Sequence, residues 1–267
     1  MESVYRWIAK HQVASLLINI FVWSFVGVFL LEIGLSKWIM YPAVIIVGAL
    51  YSLLVSVAGD VLLKKPLEKL QHQCDPYPFM EEMQEQIHYS GKDAVKQVRT
   101  INYALALRNI GQYDQAYMLM STLNIDKNAA MLPVGKLTYY NNLMDLCFLM
   151  GKHQEANIWY TKATQIFHDL KPGKQKERLR HIVEDNRALY HFGNGEYALA
   201  LQVLGKAQPK DLRDRVENAM MYARTYLAMG EPEKAVKPLQ FVAEKGNKLY
   251  FATEAKELLA KIKLEET

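Results

Sequence analysis

The sequence predicts an all-α protein: an N-terminal transmembrane helical hairpin, a short junction, and an α-solenoid of about four helical hairpins closed by a C-terminal capping helix. Three observations carry this prediction. Two apolar stretches near the front hold no charged residue, a Gly-to-Ala turn pattern recurs four times behind them, and apolar residues keep helical spacing on both sides of each turn.

The uncharged apolar stretches run from Val13 to Leu31 and from Trp38 to Gly59, with spans expected at about residues 13–33 and 38–60, and each approaches or meets the roughly 20 residues that a helix needs to cross a bilayer core. Only Glu32 to Lys37 lie between them, which is room for a tight turn, so the two helices are expected to be antiparallel and both termini to share one side. Arg6 and Lys10 precede the first stretch and Lys64, Lys65 and Lys69 follow the second, against Lys37 alone in the turn. That bias places both termini in the cytoplasm. Gly48, Ser52 and Ser56 recur at four-residue spacing and form a small-residue stripe for close helix approach, first to the other span and secondarily to a second copy as a homo-oligomer contact. The expected location is therefore a multi-pass integral protein, and the simple plan points to a prokaryotic cell membrane. Residues 1–65 form this anchor and 66–90 a junction interrupted by Pro66, Pro76 and Pro78, with one short helix near residues 79–87.

A net charge of +4 over 267 residues, much of it beside the apolar stretches, gives no basis for nucleic-acid binding. Two cysteines, Cys74 and Cys147, make no disulfide framework and suit a reducing compartment. The seven histidines lack the His-Glu-x-x-His spacing of a zinc helix, and no phosphate-binding Gly-x-x-x-x-Gly-Lys loop is present. No catalytic residue, cofactor or metal ligand is assigned, so the expectation is a protein that is not an enzyme.

Residues 91–267 repeat themselves. Gly111-Gln-Tyr113-Asp-Gln-Ala116, Gly151-Lys-His153-Gln-Glu-Ala156, Gly195-Glu-Tyr197-Ala-Leu-Ala200 and Gly230-Glu-Pro232-Glu-Lys-Ala235 share one pattern. Glycine suits the left-handed backbone that ends a helix, and alanine lets the next helix pack closely. The same face continues at helical spacing downstream, through Met120, Ala163, Leu204 and Leu239, and upstream through Ala104, Leu143, Cys147, Ala188 and Ala223. Cys147 thus reads as a small core residue.

Four such turns in register resemble the tetratricopeptide repeat (TPR) family over about residues 97–247, with residues 251–263 similar to its capping helix. Two departures stand out: the spacing between turn glycines exceeds the family period of about 34 residues, and His153 and Pro232 replace the usual aromatic. Longer helices or links are expected to absorb the excess, chiefly at 124–136 and in the basic run Lys171 to Arg178.

The resemblance implies a protein-protein interaction scaffold or adaptor, tethered to membrane lipid by its two spans, whose first helices line a concave groove for a cytoplasmic partner or peptide. Nine residues before the turn glycines stand Asn102, Asn142 and Asn186, with Met221 in the fourth repeat. The resemblance implies that these amides face the groove, where donating and accepting at once suits a peptide backbone. Arg108, Asp145 and Arg224 are expected nearby, and their mixed signs specify no particular peptide end. The alternative is a sensor for a peptide or small ligand that relays groove occupancy to the hairpin.

Overall fold

The computed structural model describes residues 61–90, 93–126 and 131–265, together with scattered positions among the first 60; within helices the side chains at 93, 94, 175, 178, 181, 185 and 265 also lie outside the description. The chain divides into two compact units, Met1–Pro66 and Leu67–Thr267.

In the first unit the expected membrane location is corrected. Among the described residues no helix is long and apolar enough to cross a membrane. A span needs an unbroken apolar helix of about 20 residues. The longest described helix, Lys174–Gly193, has 20 residues but is studded with Lys, Arg, Glu and His. Most of the two stretches, including Gly48, Ser52 and Ser56, lies outside the described residues. The multi-pass integral location, the tether to lipid through two spans and the cytoplasmic placing of both termini are accordingly withdrawn. Among the described residues there, the large apolar side chains of Leu17, Phe21, Phe25, Ile46 and Leu50 are exposed.

The second unit is all helical among its described residues. A helical segment at 67–73 precedes ten helices: α1 (Tyr77–Tyr89), α2 (Asp93–Asn109), α3 (Tyr113–Ser121), α4 (Pro133–Leu149), α5 (His153–Asp169), α6 (Lys174–Gly193), α7 (Tyr197–Leu204), α8 (Leu212–Ala228), α9 (Pro232–Lys245) and α10 (Tyr250–Glu265). Helices α2/α3, α4/α5, α6/α7 and α8/α9 form four hairpins, and α10 packs on α9 and α8.

One turn chemistry makes all four hairpins. Gly111, Gly151, Gly195 and Gly230 have φ of +81°, +72°, +76° and +72°, the left-handed region that side chains resist. The next residue then turns its N–H back five positions: Gln112 donates to Leu107 O, Lys152 to Cys147 O, Glu196 to His191 O and Glu231 to Tyr226 O, at 2.8–2.9 Å. These bonds satisfy carbonyls that a helix end would otherwise leave bare. Five residues after each glycine, Ala116, Ala156, Ala200 and Ala235 are buried where the second helix crosses the first.

Two segments behave differently from the sequence reading. The expected junction is folded into the second unit: Leu70, Cys74, Phe79 and Met83 are buried, and α1 packs on α2. Four apolar side chains at core spacing outweigh Pro76 and Pro78, which sit just before and at the start of α1 where a missing N–H costs nothing; Pro66 lies within the helical residues 61–73. The basic run from Lys171 is a link only to Gly173, since α6 begins at Lys174. Long helices absorb the excess spacing, with α4, α5 and α8 at 17 residues and α6 at 20.

Candidate functional site

A cavity of about 780 Å³ is walled by α2, α4, α6, α7, α8, the link between α7 and α8, and Phe251 of α10. Helical spacing aims the residues there. On α4 nearly every face is covered by apolar neighbours, with Leu137, Tyr139, Tyr140, Leu143, Met144, Leu146, Cys147 and Phe148 all buried. The strip left over is polar, and it presents Asn141, Asn142 and Asp145 to the cavity. On α8, Asp214, Glu217, Asn218, Met221 and Arg224 follow one another at steps of one or three residues along the same stripe. That helix is started by Asp211, whose carboxylate accepts the Asp214 N–H at 2.9 Å.

Arg108 is the electrostatic centre. Its Nη1 donates to Glu217 Oε1 at 2.5 Å and to Asn109 Oδ1 at 3.1 Å. Its Nε lies 2.7 Å from Asp145 Oδ2, an ion pair by distance without hydrogen-bond alignment. Burial opposes the charge on this guanidinium, yet the carboxylates of Asp145 and Glu217 outweigh it and hold the group above the ordinary arginine range. Arg224 grips Glu254 through both Nε (3.0 Å) and Nη2 (2.7 Å). The two guanidinium carbons each lie 5.2 Å from the centre of the Phe251 ring, so one aromatic serves two cations. Arg213 is paired in turn with Asp214 at 3.0 Å, with its Nε 3.9 Å from Glu217.

Five of the six expected groove residues, Arg108, Asn142, Asp145, Asn186 and Arg224, line this one cavity. Asn102 does not; it is half-buried on α2 one turn before Leu105, the first cavity residue of that helix. The aligned amides also divide by environment. Asn186 is buried and its Nδ2 donates to Asn141 Oδ1, which joins α6 to α4. Asn142 carries no side-chain hydrogen bond among the described residues, and neither does Asn218, which supplies the fourth repeat's amide one turn before Met221.

Comparison with protein-family models, with curated proteins and with solved structures found no match.

Sequence reasoning missed Glu217, Asn218, Phe251 and Glu254. Asn218 was findable, since a helix that lacks an amide at one position can present it one turn away on the same face. Phe251 and Glu254 carried no signal, because their partners Arg108 and Arg224 lie on other helices and no repeat periodicity links them.

The arrangement offers hydrogen-bond donors and acceptors beside charges that neutralise one another. Among the described residues no group of three or more His, Cys, Asp or Glu could hold a metal ion. Both thiols are inert by burial, Cys74 pushed up to about 11, with the Asp211 and Glu217 carboxylates adding to the effect, and Cys147 up to about 12.

Proposed function

We propose that residues 67–267 are a tetratricopeptide-like α-solenoid of four hairpins with a C-terminal cap, and that its cavity binds a short, extended segment of a partner protein. The observation that carries the reading is the pair of amides without a side-chain hydrogen bond, Asn142 on α4 and Asn218 on α8, that line one polar cavity. A primary amide matches the alternating C=O and N–H of an extended backbone, and rigid helices hold both amides in place without a folding cost on binding. The volume lies within the roughly 300–1,000 Å³ of sites that take small ligands, which suits a few residues of chain and excludes a folded domain.

The reading is non-enzymatic. Arg108, Asp145, Glu217, Arg213, Asp214, Arg224 and Glu254 are engaged with one another, so the converging charges build walls instead of serving a reacting group.

The test is selection of random displayed peptides on the full chain, followed by affinity measurements on Asn142→Leu and Asn218→Leu. Each substitution is expected to weaken a selected peptide by about tenfold, the equivalent of one lost buried hydrogen bond, with an unchanged melting temperature. Selected peptides that bind both variants at full strength would place recognition on another surface and sink the proposal.

A further inference from the structure

We infer that the cavity admits only a slender, unfolded segment led in by a free end, because a clasp between the two ends of the helical array closes the circuit around it; this rests on the peptide-binding reading above. The circuit runs through packed neighbours, from α2 to α4, α4 to α6, α7 to α8 and α8 to α10. Helix α10 then returns to α2.

Three sets of contacts make the return. Inside, Arg108 of α2 reaches Glu217 of α8 and the Phe251 ring of α10. At the turn of the first hairpin, Tyr250 lies so close to Gly111 that a Cβ there would stand 2.5 Å from its ring, and Tyr113 meets the same ring edge-on at 5.7 Å. On the outside, the loop after residue 73 meets the link between α9 and α10: Asn247 Nδ2 donates to Gln73 O at 2.7 Å, Lys248 N to Cys74 O at 3.2 Å, and Lys248 Nζ lies 2.7 Å from Asp75 Oδ2. The two non-glycine residues with positive φ among those described, Cys74 at 51° and Asn247 at 45°, sit one on each of these meeting loops. Backbone in that region costs roughly 1–3 kcal/mol for a non-glycine residue and persists only where surrounding contacts hold it.

An open repeat array receives a segment laid sideways into its groove, and the segment can belong to the middle of a folded partner. A closed circuit has no side entrance. A ligand must then travel along its axis, which a chain end can do and a loop anchored at both ends on a bulky body cannot.

The experiment compares two displayed libraries on the full chain. One carries random peptides with a free end, and the other holds the same segments at both ends in a surface loop of a folded carrier. Free-ended peptides are expected to bind, and to lose at least about tenfold when moved into the loop. The double variant Asn247→Gly/Tyr250→Ala, which keeps the left-handed backbone while removing two clasp contacts, is expected to restore loop-held binding. Asp75→Cys/Lys248→Cys, bridged by a short bismaleimide that the buried native thiols do not meet, is expected to leave free-ended binding unchanged. If the opened variant loses its helical signal at the assay temperature, the bridged variant decides, since it must discriminate as the native chain does. Loop-held peptides that bind the native chain as tightly as free ones, or a bridge that abolishes free-ended binding, would overturn the inference and leave peptide binding intact. Selection of nothing from either library would overturn both.

Discussion

At the scale of single residues, the structure separates side chains that the sequence treats alike. Asn102, Asn142 and Asn186 share a register, but register fixes only where a residue falls along its helix, and the neighbours decide what it meets. Asn186→Leu is expected to cost about 1–3 kcal/mol, because the half-buried Asn141 carbonyl loses its donor and Asn186 itself is buried, whereas Asn142→Leu should stay within about 0.5 kcal/mol. Urea denaturation of the two variants checks the contrast, and equal costs would contradict it. Arg108→Met should be harsher, at about 3–5 kcal/mol, since Asp145 and Glu217 are then left together with their shared counter-charge gone. The cysteines give a pH test. Burial raises both thiols from an ordinary 9.0, to about 11 for Cys74 and about 12 for Cys147, so the fold favours the protonated forms. That contribution is complete below pH 9 and is lost as pH rises from 9 through 11 and 12. Urea midpoints measured across that window should fall less steeply for Cys74→Ala/Cys147→Ala than for the native chain, and parallel curves would deny the thiols a part in the fall.

At the scale of elements, the hairpin turns were the most legible part of the chain, since Gly-to-Ala spacing encodes a backbone conformation and a packing contact at once. The segment before α2 was misread for a physical reason: prolines at 76 and 78 look like a break, yet proline at a helix start is neutral, and only burial of Leu70, Phe79 and Met83 reveals that the segment belongs to the core. The four glycines are alike in backbone but unlike in surroundings, and that separates their variants. A Cβ at Gly151, Gly195 or Gly230 meets nothing within 4 Å, so alanine there should cost only the left-handed strain, about 1–2 kcal/mol. At Gly111 the same Cβ strikes the Tyr250 ring at 2.5 Å. Gly111→Ala should therefore lower the melting temperature more than any of the other three, and Gly111→Ala/Tyr250→Ala should recover the difference. Four equal losses would mean that α10 yields without resistance.

At the scale of the whole second unit, the clasp changes what kind of object the array is. Stacked repeats touch only their neighbours, so an open array can melt from its ends, hairpin by hairpin, over a wide range of temperature. Here the ends are joined: Lys248 meets Asp75, 173 positions away in the chain, and Arg108 meets Glu217 across 109 positions. No terminal hairpin can fray without also breaking contacts at the opposite end. This long-range closure was invisible in the sequence, because repeat periodicity describes only the contact of each unit with the next. Calorimetry of the full chain should show one transition for the helical unit, with its calorimetric enthalpy close to its van't Hoff enthalpy. Opening the clasp with Asn247→Gly/Tyr250→Ala removes few contacts, so a purely local account predicts a small, parallel shift to lower temperature. Closure predicts more: the transition should broaden and the calorimetric enthalpy exceed the van't Hoff value, because the end hairpins regain the freedom to melt first. A variant transition as sharp as the native one would show that cooperativity resides in the stacking of neighbours alone.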